Sequence, residues 1–597
     1  MKLLIPFVDK LREADTRLIR MAEFLGIDCQ PLPLAKPAGQ ISACFEQPAS
    51  EIPCCLVVNP GVCQEWLQDD RRVPELAAFI ASQFQHVLVH AVRANQFDGD
   101  LICSLSDGGL RGIQKISESA GWYAISQDAK AICDAFAGLT FGPANPGNDH
   151  IFEKNSSASK IQTLVSIGSG IFMAAIKREK AEVLFVGSAD VADLDAETGD
   201  APLAEYFSRL LPQAMALRHI FGEQCWRPSE QHASVVVDDP LLRPNYGFLN
   251  FEKLLTLTKA HNFQTTLAFI PHNYRRSSPR VTRMFRENPD RLSLCFHGND
   301  HTGAEFAASD VAMLDTMLHI ADQRMSAHRK LTGLECDRVM VFPQGNFSIE
   351  AMAVLKAHNF DAAVNTTPHP RQQPVNLTWR ERMQPAVLRY AGFPLFLRNN
   401  SARTQSPDIA FNLFFGRPVL IVEHHDVFQN PDTLIEAVAR INTIAPEIKW
   451  SSLGSAVSNS ILRRRDAEGI VYIRAFSRTA RVTNSSNSAQ SCRIEWPQPA
   501  GQRAAQQVLC DGAACHDFEQ NDSGIRLAFD LDPGCTKTFS VVYPEAPAGS
   551  SRLGLRWKAR AFVRRRLSEV RDNYISKNPP VLALAQSLQR LLGNTNY

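Results

Sequence analysis

Between about residues 230 and 455 the chain repeats one pattern: a short apolar run, a polar turn, then an amphipathic stretch with helical spacing. The runs Ser234–Val237, Thr265–Ile270, Leu292–Phe296, Arg338–Phe342, Ala362–Asn365, Pro394–Leu397 and Val419–Val422 read as strands. Phe251–His261, Pro279–Asn288, Ser309–Leu331, Ser348–Asn359 and Pro431–Thr443 read as helices between them. Strand–helix units sustained over roughly 220 residues predict a (β/α) barrel, distorted and seven-stranded. That rhythm also says where chemistry belongs. In such barrels the loops after the strands converge on one rim.

Polar groups gather at those ends. Asp238 and Asp239 close the first run, and His297 and His301 follow the third. Pro271/His272, Pro343/Gln344 and Glu423–Asp426 follow three others. Two carboxylates at the mouth of an apolar core must be paired or bind a metal, because bare charge is costly to bury. An Asp with His-x-x-x-His is a facial set for a divalent metal that leaves positions open.

The remaining chain adds three segments to this α/β fold. Residues 1–225 alternate strand and helix patterns, among them strands Leu3–Val8, Cys54–Asn59, His86–Val92, Thr163–Ile167 and Glu182–Val186. Helices over Asp15–Leu25 and Pro74–Gln85 separate them, which predicts an α/β domain with a largely parallel sheet. Gly168-Ser169-Gly170 precedes the amphipathic run Ile171–Lys180 and reads either as an anion site at a helix N-terminus or as a tight turn. Residues 456–545 carry short β-rich runs that predict an antiparallel β-sandwich. Residues 550–597 form a basic helical tail, with Val563, Leu567, Val570 and Tyr574 on one apolar face.

A formal net charge of +1 gives no global attraction to nucleic acid, and no nucleic-acid motif accompanies the local basic clusters. The tail's Arg556, Lys558, Arg560, Arg564, Arg565 and Arg566, with Trp557, suit either a solvated face or peripheral contact with an anionic membrane. The 14 cysteines include no CxxC pair, which favours a reducing compartment; Cys510 and Cys515 read as strand-end thiols. No apolar run reaches the ~18 residues of a membrane span, and a cytoplasmic location is expected. Oligomeric state is not legible.

Asp238-Asp239 after the first strand and His297-Gly-Asn-Asp-His301 after the third resemble the polysaccharide deacetylase superfamily, the NodB-homology type of carbohydrate esterase. The resemblance covers about 220 of the 597 residues and is to a divergent member. It implies a metal-dependent hydrolase with Asp238 as general base and Asp239, His297 and His301 holding Zn²⁺ or a similar ion. Val341-Phe-Pro-Gln-Gly-Asn346 matches the family's third motif with Val341 where its arginine stands, and Arg389 and Arg398 are possible stand-ins. The family's late histidine is matched by His424 or His425.

The chemistry is coherent by itself. Hydrolysis of an acyl group needs a polarised carbonyl, an activated water and a proton for the leaving atom. Backbone N–H groups near Pro343–Gly345 are candidate oxyanion donors, and Asn273, Asn299 and Asp300 are candidate sugar contacts or ordinary loop residues. The expected function is removal of an acetyl group from a carbohydrate or glycoconjugate. Two other readings stay open: a noncatalytic carbohydrate-binding or assembly protein on a degenerate barrel, and a glycosidase pairing Asp238 with Glu423 or Asp426.

Overall fold

The computed structural model describes residues 1–35, 54–116, 121–145, 147–155, 160–199, 203–499, 504–544, 554–578 and 580–581. The chain separates into two compact units. One comprises Met1–Arg227 with Leu377–Arg380 and Arg463–Ile470, the other Pro228–Asn376, Glu381–Leu462 and Val471–Tyr597.

The first unit is built on a mixed sheet. Cys29–Pro33, Lys2–Phe7, Cys54–Val58, His86–Val89 and Ala181–Val186 run parallel, and helices such as Glu13–Phe24 and Val73–Gln83 separate several of them in sequence. Beyond them, Gly170–Arg178, Ile161–Ile167, Tyr123–Ile125 and Thr140–Phe141 are antiparallel. The sheet is therefore less parallel than expected. Ile171–Lys180 is the other correction: most of it is strand, not helix. Gly168, at φ +57°, and Ser169 turn the chain back in a hairpin. Ile171 through Ala175 are all buried, so helical spacing could not distinguish a strand covered on both faces.

The second unit contains the barrel. The ring runs through Leu395–Leu397, Ala362–Asn365, Asp337–Val341, Leu292–His297, Thr265–Phe269, His232–Asp238, Val419–Glu423 and Asn399–Asn400, parallel throughout. The two short strands at the ends of this path are separated only by Arg398, so the ring nearly closes at that residue. Every residue of His232–Asp238 is buried, as befits a strand with its face covered on both sides. Register places Val237 beside Glu423, and His297 beside Val341, which brings the polar strand ends to one level.

Two sheets of short strands follow the barrel. Gln490–Pro497 pairs antiparallel with Gly524–Leu531, and Thr479–Thr483 with Thr536–Val542. Ile473, Ile494, Trp496, Val508, Ile525 and Val541 share their core. Val471–Ala475 and Gln490–Pro497 are parallel, against an all-antiparallel expectation. The cause is the intervening Thr479–Thr483, which crosses to the other sheet and returns the chain to the same end. Cys510 and Cys515 are free thiols flanking a hairpin. Helix Leu555–Val570 closes the unit and runs into a π-helical turn, Arg571–Ile575. Among the described residues no helix is long and apolar enough to cross a membrane.

Candidate metal centre and its pocket

The barrel rim brings Asp239, His297 and His301 together, their ligand atoms all within 4.8 Å of one another. Asp239 Oδ1 lies 3.5 Å from His297 Nε2 and 3.2 Å from His301 Nε2. Ligands about 2 Å from a tetrahedral ion sit roughly 3.3 Å apart, so these separations suit one. Asp239 Oδ1 is buried and makes no hydrogen bond of its own, as a metal-ligating oxygen would. His297 Nδ1 faces the Val341 carbonyl at 3.0 Å, which fixes its proton there and leaves the Nε2 lone pair toward Asp239. The donor set fits a divalent ion of the zinc type.

Backbone strain accompanies these ligands. Asp239 has φ +79° and His301 φ +54°, in a region non-glycine residues occupy only when their surroundings enforce it. At His301 the enforcing group is Glu305. Its buried carboxylate accepts the backbone N–H of Asn299 at 2.7 Å, His301 at 3.1 Å, Asp300 at 3.2 Å and Thr302 at 3.4 Å. Burial pushes its carboxyl up despite these donors. Gly298 makes the turn possible. It sits at φ +60°, and a Cβ there would strike both the Glu305 carboxylate and the Pro343 ring.

Asp238 is set apart from the metal ligands by its partner. Arg398 donates to both its oxygens, Nη1 to Oδ1 at 2.8 Å and Nη2 to Oδ2 at 2.6 Å. Burial alone would raise the Asp238 carboxyl, but Arg398 and then His297 outweigh it and hold it below the ordinary value. Asp239 is held lower still: burial opposes ionisation there too, and the two histidines and Arg565 overcome it. His301 is held down as well, to about 4, chiefly by burial, which for a histidine favours the neutral ring. Of the two arginines considered as stand-ins for the one absent at Val341, Arg398 is the one that pairs with Asp238. Arg389 pairs instead with Glu381, at 2.7 and 2.6 Å.

The late histidines separate cleanly. His424 is exposed and lines the cavity over the rim. His425 is buried behind it, edge-on to Tyr246, with Nε2 3.5 Å from Asp572. Asp572 itself accepts from Tyr246 Oη at 2.7 Å and Arg571 Nε at 2.7 Å.

Asn273, Asn299 and Asp300 are buried and structural, and none lines the cavity. Asp300 accepts from Arg324 at 2.6 Å, Trp557 Nε1 at 2.9 Å and His272 Nδ1 at 3.0 Å, which brings it down to about 2 although burial opposes this. His272 is thereby used in packing. Gly345 N–H is turned to the Phe342 carbonyl at 3.1 Å, which removes it as an oxyanion donor.

Trp557 belongs to helix Leu555–Val570, whose place here the sequence did not reveal. Arg276 grips Glu569, with Nη2 2.7 Å from Oε2, and Gly247 N–H donates to Asn573 Oδ1 at 3.0 Å. Arg564 and Arg565 thus enter the cavity wall, while Arg556, Lys558, Arg560 and Arg566 stay exposed. Val563, Leu567, Val570 and Tyr574 do lie exposed on the helix. The cavity holds about 820 Å³, ample for a small ligand. Asp572 and Glu305 were also missed. Glu305 left one trace, an acid in an amide-rich loop just after His301; Asp572 left none.

No protein-family model and no curated protein matches this chain. Solved structures similar to it include three deacetylases. The carbohydrate deacetylase Agd3 is 10% identical with a TM-score of 0.47, over 92% of this chain and 99% of that one. The peptidoglycan N-acetylglucosamine deacetylase Bc1960 is 15% identical with a TM-score of 0.23, over 39% of this chain and 90% of that one. The polysaccharide deacetylase Bc1974 from Bacillus cereus is 14% identical with a TM-score of 0.20, over 37% of this chain and 92% of that one. Likeness at this level concerns the course of the chain, and the chemistry rests on the site itself.

Proposed function

We propose that the barrel hydrolyses an acyl group, most simply acetyl, from a carbohydrate or glycoconjugate. One observation carries this reading: a three-ligand metal set, Asp239, His297 and His301, stands beside a second carboxylate, Asp238, that binds an arginine instead. Adjacent residues are thereby given different tasks. A divalent ion, Zn²⁺ by its ligand types, would supply Lewis acidity and lower the pKa of a bound water. Asp238, kept ionised and oriented by Arg398, accepts the proton of the attacking water. His424, facing the same cavity, donates a proton to the departing nitrogen or oxygen. His425 positions that segment through Asp572.

The degenerate-barrel alternative rested on an unsupported base, and Arg398 supplies the support. The glycosidase alternative needs a carboxylic acid that stays protonated until it acts. Asp238, held ionised, is not that acid, so the role would fall to Glu423, whose Oε1 already accepts the Ser401 N–H, or to exposed Asp426.

The test is metal analysis of purified protein together with acetate release from N- and O-acetylated sugars, before and after chelation. Stoichiometric metal, lost in Asp239→Ala and His297→Ala, with chelation-sensitive acetate release is the expected result. Protein that carries no metal and releases no acetate overturns the proposal.

A further inference from the structure

The cavity wall contains more cation than its carboxylates neutralise. Arg398 is committed to Asp238, and Arg571 to Asp572. Arg371, Arg403, Arg564 and Arg565 also line the space, and none has a carboxylate within 4.0 Å among the described residues. Glu423 and Asp426 line it too, so with Asp238, Asp239 and Asp572 the wall sets five carboxylates against six arginines.

Arg565 is the informative member. It is only 6% exposed, and its Nε has no hydrogen-bond partner. Nη2 reaches Ser568 Oγ at 3.2 Å and His301 Nδ1 at 3.4 Å. Once His301 ligates a metal through Nε2 its proton sits on Nδ1, so that contact becomes donor against donor. Ser568 Oγ is then the single acceptor, among the described residues, for a guanidinium with five N–H groups. Asp239 acts on Arg565 only from beyond ion-pair distance, and a bound cation would use its charge. A buried cation without a paired counter-charge is costly, by several kcal/mol in typical proteins. Arg564, half-buried one residue earlier, lies at the same wall.

We infer that this wall binds an anionic substituent of the substrate, so that the preferred acylated sugar is acidic, bearing a carboxylate or a phosphate. Arg565 and Arg564 are the specificity-determining residues, and helix Leu555–Val570 is the element that presents them. Planar guanidinium forks match both oxyanions. The inference rests on the proposed acyl-carbohydrate function, which it narrows to an acidic substrate class.

The test uses full-length, zinc-loaded protein and calorimetric binding of three probes: N-acetylglucosamine, N-acetylglucosamine 1-phosphate and the 6-carboxylate of N-acetylglucosamine. At least one anionic probe is expected to bind about tenfold or more tightly than the neutral one, the range of a charge-assisted hydrogen bond. Which anion wins identifies the source of the charge. In Arg565→Gln the anionic-to-neutral ratio should fall at least about fivefold, and in Arg564→Gln about threefold. The second variant keeps the test decisive if burial makes the first fold poorly. Equal affinity for all three probes overturns the inference, as does a ratio that neither variant changes. Acetate release separates the two levels. Equal kcat/KM on neutral and acidic acetylated sugars keeps the deacylase reading and removes this one. Arg-dependent anion binding with no acetate released does the reverse.

Discussion

Arg398 and Asp238 are 4% and 5% exposed, and each is the other's principal partner. Truncating one leaves a buried charge uncompensated, so Arg398→Ala should destabilise the barrel by about 3–5 kcal/mol. Its pH dependence has a definite sign. Asp238 sits below its ordinary value in the folded protein, so the pair's stabilisation is full above the ordinary carboxylate range. It is lost as pH falls through the depressed value. Without Arg398, burial raises the same carboxyl, which then takes up a proton and sheds its penalty. The gap between wild type and Arg398→Ala should therefore narrow on acidification; denaturant unfolding at pH 7 and pH 4 measures it, and a constant gap would contradict the pairing. In sequence Arg398 had no mark that Arg389 lacked. Charge and spacing name candidates, but the break between two short strands decides which guanidinium points inward.

At the scale of elements, alternation of apolar and amphipathic stretches located the barrel strands to within a residue or two at most boundaries. Ala362–Asn365 was read without error, and Leu292–Phe296 gained only His297. What failed were elements buried on both faces or joined across sheets, because neither leaves a one-sided pattern: Gly170–Arg178 in the first case, the parallel pair Val471–Ala475 and Gln490–Pro497 in the second. The loop Gly298–Thr302 was legible only as a histidine spacing. Its shape depends on Glu305 and on a glycine without a side chain. Gly298→Ala should consequently lower zinc affinity by at least about tenfold, the scale seen when groups that orient ligands are disturbed. Competition titration with a chromogenic chelator reads this, and an unchanged affinity would show that the loop can yield.

For the whole molecule, the three proposed metal ligands, Asp239, His297 and His301, all fall in the second compact unit. Thermal unfolding should show two transitions, only one of which moves on chelation. A ligand at 100 times its Kd stabilises by about 2.7 kcal/mol, enough to separate them. A single transition, or both moving together, would count against that. The barrel was visible in sequence because its rhythm is local; the pocket wall was not, because three of its six arginines, Arg564, Arg565 and Arg571, come from far along the chain. From Glu423 at the last long barrel strand to Arg564 is 564 − 423 = 141 residues. At about 5–20 residues per second, a ribosome needs roughly 7–28 s to cover that distance. During that interval the proposed ligands Asp239, His297 and His301 have been made, and Arg564 and Arg565 have not. If the proposed metal site and anion preference both hold, a nascent chain would acquire its ion before it could select by charge, and a fragment ending in the sandwich would bind metal without this filter.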